Sequence, residues 1–232
     1  MDNVTSVTQS ARGESYFDGG VLQFIGWAIL GSLVTTATFG ICFPFAVTWI
    51  FSWESRHTVL NGKRLKFTGS AGGLFGTWIV CLLLTAITFG IYSLWIPIRI
   101  MKWKEANTFF EDEIPTFDAE QKLRREKASY FDGGFFQWLG WTILGSLITF
   151  ITLGICYPWA VQMIYSWRQR HKVYCKRRCT FDGKAVGLFG TWIVCILLSV
   201  ITFGIYTLWI PVRLQKWVVS HTRLLDDEKP NE

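Results

Sequence analysis

The amino-acid sequence predicts an all-α membrane protein with eight transmembrane helices, laid out as four tandem helical hairpins with pseudo-fourfold symmetry and small cytoplasmic β-hairpins. Three observations lead there: charge that is sparse and segregated, a duplication nested inside another, and a glycine-broken apolar run in every repeat. Half of the 232 residues are apolar, 17% are charged and the mean hydropathy is +0.29, whereas soluble domains carry about 25% charged residues. No Asp, Glu, Lys or Arg occurs from Gly19 to Trp53, Gly69 to Ile98, Gly133 to Trp167 or Ala185 to Val212. A water-facing surface needs polar cover, so these stretches point to lipid as their solvent. The 13 tryptophans agree, because Trp favours the boundary between lipid and water.

The net charge of +6 is carried by residues flanking the apolar runs, which argues against a nucleic-acid partner and for the cytoplasmic flanks of membrane segments. The first fifteen residues have no apolar core and do not read as a cleavable signal. Cys42, Cys81, Cys156 and Cys195 lie inside apolar runs and Cys175 and Cys179 among basic residues, so no disulfide framework is expected.

A shift of 114 residues aligns Ser15–Thr108 with Ser129–Thr222 without a gap, at roughly three identities in five positions, a duplication level. A weaker repeat at a shift of 50 lies within each half, placing Phe17 on Phe67, Gly19 on Gly69 and Trp53 on Trp103. The expected organisation is a tail over 1–14, a half over 15–108, a charged linker over 109–128, a second half over 129–222 and a tail over 223–232.

Every quarter reads alike. Asp18, Thr68, Asp132 or Asp182 precedes an apolar run and suits a helix N-cap. A run of about 19 residues reaches about 28 Å as helix, close to the roughly 30 Å of a hydrocarbon core. Thr-x-Gly-Ile then breaks it, with glycine taking the left-handed conformation that ends helices. A shorter apolar stretch follows, with Pro in its first turns and basic residues at its end. So short a connection makes the two helices antiparallel neighbours. If each hairpin crosses and returns, all basic flanks and both termini share the cytoplasmic side. The rival layout has four spans and four interfacial helices, and it divides the basic loops between two faces. Asn61-Gly62, between Val59-Leu60 and Leu65, signals a two-residue β-hairpin, and His171–Phe181 keeps similar flanks.

The ordered landmarks SYFDGG, QFIGW-ILGSL, T-FGICFP, RHTVLNGKRL, LFGTWI and ITFGIY-LWIP resemble the YjgN-like family of bacterial inner-membrane proteins of unknown function. The resemblance covers both halves, so the chain looks like two family units joined by a linker. It implies a bacterial cytoplasmic (inner) membrane location and brings no catalytic residues.

Candidate chemistry falls in three places. The turns Thr38-Phe39-Gly40, Thr88-Phe89-Gly90, Thr152-Leu153-Gly154 and Thr202-Phe203-Gly204 would ring a pseudo-symmetry axis with carbonyls at a pore mouth, or simply cap helices. Arg99 and Arg213, two residues after a Pro, are intramembrane cations that either face a cavity or snorkel to the interface. His57, Asn107, His171 and His221 each follow a Trp by four residues, on one helical face, and form an inner-face ring or interfacial anchors. His171, Cys175 and Cys179 make too short a set for zinc, while Gln23 and Gln137 suit interhelical hydrogen bonds. Neither a paired nucleophile and base nor a phosphate loop is present, so no enzyme, metal or cofactor is expected. The resulting expectation is a channel or small-solute or ion conduit in a lipid bilayer. The alternative is a non-conducting membrane protein that organises lipids or binds partner proteins; a solute-coupled transporter comes third.

Overall fold

The computed structural model describes residues 13–113 and 129–225; the tails and most of the linker lie outside them. In the first half, β1 (Tyr16–Phe17) leads to α1 (Val21–Ala37) and α2 (Phe43–Arg56). The hairpin β2 (Thr58–Leu60) and β3 (Lys63–Phe67) follows, then α3 (Ala71–Ile87), a 3-10 turn (Ile91–Trp95), α4 (Ile96–Ala106) and β4 (Thr108–Phe110). The second half repeats this as β5 (Tyr130–Phe131), α5 (Phe135–Ile151), α6 (Tyr157–Arg170), β6 (Lys172–Tyr174) and β7 (Arg177–Phe181). It closes with α7 (Ala185–Ile201), a 3-10 turn (Ile205–Trp209), α8 (Ile210–Ser220) and β8 (Thr222–Leu224).

The eight-span prediction is overturned. No helix among the described residues is long and apolar enough to cross a membrane. The four longest, α1, α3, α5 and α7, have 17 residues each, about 26 Å at 1.5 Å per residue. Their partners have 14 or 11 and carry charges. The assignment to the bacterial inner membrane as a multi-pass protein with both termini cytoplasmic was built on those crossings, and it falls with them. The fold is not all-α either, since two four-stranded antiparallel sheets accompany the helices.

Helix length is set by the turn. Gly40 N–H donates to the Thr35 carbonyl at 2.8 Å and Phe39 N–H to Thr36 at 3.1 Å, the two bonds of a Schellman ending. The left-handed position therefore falls on Phe39 as well as Gly40, with φ of 50° and 85°. Phe89, Leu153 and Phe203 repeat it at φ of 49°, 50° and 50°. The glycines do take the left-handed conformation expected of them, and the residue before each takes it too.

The proposed N-caps are also corrected. The long helices start after Gly20, Ser70, Gly134 and Lys184, and only Ser70 caps with its side chain, accepting from Gly73 N–H at 3.2 Å. Asp18, Asp132 and Asp182 instead pair with Arg64 at 2.9 Å, Arg178 at 2.7 Å and Arg223 at 3.2 Å, tying helix entry to the sheet. Thr68 donates to the Asn107 carbonyl at 3.1 Å.

The sheets run β1-β2-β3-β4 and β5-β6-β7-β8. Tyr16 is opposite Val59, Val59 opposite Arg64 and Leu65 opposite Phe110; Tyr130, Val173, Arg178, Cys179 and Leu224 repeat the register. Asn61 and Gly62 turn β2 into β3 with φ of 48° and 79°, and Cys175 and Lys176 do so at 48° and 67° without a glycine. Phe109 and Phe110, placed in the linker by the repeat, are buried in β4, because the sheet extends two residues past the last aligned position.

The chain passes from sheet to turn and back four times, so all four turns lie at the end away from the sheets. Quarter follows quarter in a closed ring: α4 packs on β5 and α8 on β1. Asn61 Nδ2 donates to the Leu224 carbonyl and Asn61 Oδ1 accepts from Leu224 N–H, both at 3.3 Å, joining the sheets.

Each quarter is keyed at the sheet–helix junction by an aromatic clamp. Phe17 meets Trp53 edge-on at 5.5 Å, and Phe67–Trp103, Phe131–Trp167 and Phe181–Trp217 do the same at 5.4, 5.6 and 5.5 Å. A Cβ on Gly19 would lie 2.4 Å from the Phe17 ring and 2.8 Å from Trp53, and Gly69, Gly133 and Gly183 are equally crowded. Gly26, mid-helix, has nothing within 4 Å. Gly19→Ala or Gly133→Ala is expected to destabilise the fold by about 1–3 kcal/mol through overpacking. Gly26→Ala is expected to be neutral or stabilising by up to about 1 kcal/mol. Chemical-denaturation midpoints check both, and equal effects at Gly19 and Gly26 would refute the clamp.

Candidate functional site

The shorter helices α2, α4, α6 and α8 line the axis, where Val47, Ile98, Val161 and Val212 are buried at repeat-equivalent or adjacent positions. About two turns nearer the sheets, the residues after the clamp tryptophans are Glu54, Lys104, Arg168 and Val218; the next layer holds Ser55, Glu105, Gln169 and Val219. The repeat thus delivers four equivalent positions to one place and fills them with unlike residues.

Lys104 Nζ lies 2.7 Å from Glu54 Oε2, and Gln215 Nε2 donates to Glu54 Oε1 at 2.9 Å. Lys172 Nζ is 3.1 Å from Glu105 Oε1, and the Tyr174 hydroxyl donates to Glu105 Oε2. Glu105 is fully buried and the Lys172 side chain is 8% exposed. Burial alone pushes both carboxyls up. For Glu54 the Lys104 ammonium, and for Glu105 the Lys172 and Lys104 ammoniums, outweigh it and hold both below the ordinary carboxylate value of 4.5. Burial lowers Lys172 from its ordinary value despite Glu105. The Tyr174 phenol is pushed well up by burial and by Glu105, and burial drives the Cys179 thiol up to about 12. Neither is a nucleophile at neutral pH.

Beside this cluster lies a cavity of about 380 Å³. Phe24, Phe51, Trp53, Pro211, Val212 and Leu214 supply apolar wall, and Glu54, Tyr157, Tyr165, Arg168 and Gln215 the polar part. Arg168 forms no ion pair or hydrogen bond with a described residue; its Nε is buried and unsatisfied, and its guanidinium sits 5.9 Å from the Tyr165 ring centre. Towards the sheets, beyond Glu54 and Gln215, the space narrows to about 20 Å³ between Leu60, Lys104, Lys172 and Tyr174.

The turn residues are not gathered around this site. Thr38, Thr88, Thr152 and Thr202 donate their hydroxyls to carbonyls four residues back at 2.7–2.8 Å, and each accepts an N–H four residues on. The Gly40 and Gly154 carbonyls accept from Trp78 and Trp192 at 2.8 and 3.1 Å; those of Gly90 and Gly204 accept from Ser93 and Thr207 at 2.6 Å. Arg99 and Arg213 are exposed, with guanidiniums 5.6 and 5.4 Å from the Tyr92 and Tyr206 rings. His57, His171 and His221 place Nδ1 2.7–2.8 Å from the carbonyl of the preceding clamp Trp, and Asn107 Nδ2 donates to Trp103 at 2.7 Å. All four finish a helix. Gln23 and Gln137 accept from the Trp53 and Trp167 indoles at 3.0 and 3.2 Å. No group of three metal-binding side chains occurs among the described residues.

The cluster itself was not foreseen. Its signal was available in the repeat: identities mark the scaffold, and departures on the inner helices mark the site. At the 114-residue shift, Glu54 becomes Arg168, Thr58 becomes Lys172, Leu60 becomes Tyr174, Met101 becomes Gln215 and Glu105 becomes Val219.

Glu105→Gln leaves the buried Lys172 without its counter-charge, and it is expected to destabilise the fold by about 3–5 kcal/mol. For the intact protein, the folded values of Glu54 and Glu105 lie below 4.5. Their stabilising contribution is therefore complete above that value and is lost as pH falls through the folded values. Unfolding midpoints followed from neutral pH downwards are expected to show this acid-side loss, reduced in Glu105→Gln. An unchanged acid limb in the variant would remove Glu105 from the ledger.

No solved structure and no curated protein matches the chain. Residues 62–122 and 176–228 both match a family described as bacterial protein of unknown function (DUF898). The two matches start 114 residues apart, in step with the internal duplication. The chain therefore carries the pattern of this family of bacterial proteins of unknown function twice.

Proposed function

We propose that the protein is a non-conducting, lipid-binding body that seats its turn end in a lipid surface from one side and keeps its basic sheet end in water. The observation that carries this reading is the exposure of the four turn tips: Phe39 at 95%, Phe89 at 97%, Leu153 at 92% and Phe203 at 98%. Each is a large apolar side chain in a left-handed backbone conformation that disfavours it. No described residue packs closely enough against them to offset that cost. An apolar surround does, at about 1.5–3 kcal/mol per side chain removed from water.

The surface behind the tips supports the same reading. Leu22, Leu33, Ile87, Phe136, Phe150 and Val200, on the uncharged outer helices, are all more than half exposed. Exposed Arg56, Lys102, Arg170 and Lys216 lie near the sheet end of the inner helices, suitably placed for acidic headgroups. The non-conducting part rests on the axis, where the ion pairs and Phe51, 4.7 Å from Lys104 Nζ, occupy the way through.

Flotation with phosphatidylcholine–phosphatidylglycerol vesicles tests the reading. The wild-type protein is expected to float with the vesicles. A variant with Asn at all four tips, a residue that tolerates the left-handed turn, is expected to keep its fold and lose at least about tenfold in partitioning per tip. A wild type that stays in the aqueous fraction, or a variant that partitions equally, overturns it. Vesicles carrying the protein are expected to leak potassium and chloride no faster than empty ones; faster leakage would favour a conduit instead.

A further inference from the structure

We infer that the axial cavity is a binding site for a single-chain anionic amphiphile, with Arg168 holding the acid head and the apolar wall taking the chain. The first support is charge. The cluster holds two carboxylates, Glu54 and Glu105, and three cations, Lys104, Lys172 and Arg168. Each carboxylate is already matched to a lysine, at 2.7 and 3.1 Å. Arg168 is left over, with a buried unsatisfied Nε and no hydrogen bond or ion pair to a described residue. Glu54 and Glu105 act on the half-buried Arg168 only through space, so an anion in the cavity supplies the hydrogen-bonded partner its guanidinium lacks.

The second support is the shape and chemistry of the space. Its wall of Phe24, Phe51, Trp53, Pro211, Val212 and Leu214 disfavours a small hydrated anion and fits hydrocarbon. Tyr157 and Tyr165 line the same cavity, and neither hydroxyl hydrogen-bonds to a described residue, so both can donate to a ligand there. Glu54 also faces the cavity, but both its oxygens are engaged by Lys104 and Gln215. Its negative charge favours a monoanionic head over a dianionic one. The site has no counterpart half a turn round the axis, because Glu54 stands where the repeat would place a second Arg168. One ligand per chain follows.

This inference does not rest on docking to a lipid surface, and the two separate experimentally. Binding of radiolabelled dodecanoate to the purified full chain is compared with dodecanol, which has the chain without the charge, and with acetate, which has the charge without the chain. Dodecanoate is expected to bind tightest, with a stoichiometry of about one. Arg168→Gln is expected to weaken dodecanoate about tenfold or more while leaving dodecanol unchanged; Arg168→Lys keeps most of the affinity. Leu214→Trp, which fills the apolar wall from the opposite side, is expected to weaken both chains and serves if Arg168→Gln does not fold. Dodecanol binding as well as dodecanoate, acetate competing at equal concentration, or full retention by Arg168→Gln overturns the proposal. Flotation of Arg168→Gln with vesicles stays at the wild-type level, so loss of dodecanoate binding with intact flotation locates the effect in the cavity.

Discussion

The Schellman ending at each Thr-x-Gly-Ile is the constraint from which the architecture follows. It closes the outer helix at 17 residues and turns the chain straight back. It consumes the Thr hydroxyl in a local bond, presents the Gly40 carbonyl to Trp78 of the next quarter, and leaves a Phe or Leu exposed at the tip. Helix length, the absence of a carbonyl ring and the apolar apex are one consequence seen three ways. A turn with a longer loop would have freed those groups and changed all three together.

At the opposite end, the Phe–Gly–Trp clamp performs the matching task. Glycine admits the Phe ring against the indole because a Cβ there would overlap both. The indole is then anchored by Gln23 or Gln137 in the first quarter of each half. The histidine or asparagine four residues on closes the helix on the carbonyl of the same Trp. Four such clamps fix where the inner helices end, and therefore which side chains reach the axis.

The axis shows what duplication leaves open. A scaffold repeated four times presents equivalent positions to a common centre, where four identical charges would repel strongly in a low dielectric. Divergence resolves this: Glu54 faces Lys104, Glu105 faces Lys172, and Val218 and Val219 replace charge with hydrocarbon. The result has one cation more than its pairs require, on one side only. Pseudo-symmetry governs the framework and its breaking governs the chemistry.

The repeat, the hairpin pairing of helices, the short connections and the Asn61-Gly62 turn were legible in the chain, because each is written in local residues. So was the list of helix-ending residues, though not their roles: Asp18 reads as a cap and acts as a partner of Arg64 across 46 positions. Apolar content suggested spans, yet span length depends on where backbone bonds close, and the left-handed Phe39 carries no strong local signature. The outer strands β1 and β4 are two and three residues long and exist only because β2–β3 lies between them. Lys104, Glu105 and Lys172 looked like solvated flanks of apolar runs, and only ring closure brought them inside. By itself, the sequence determined the repeating unit and the Thr-x-Gly turns at which its helices reverse. Tertiary structure decided which faces close on one another, since burial of a charge depends on neighbours from distant quarters rather than on the residues beside it.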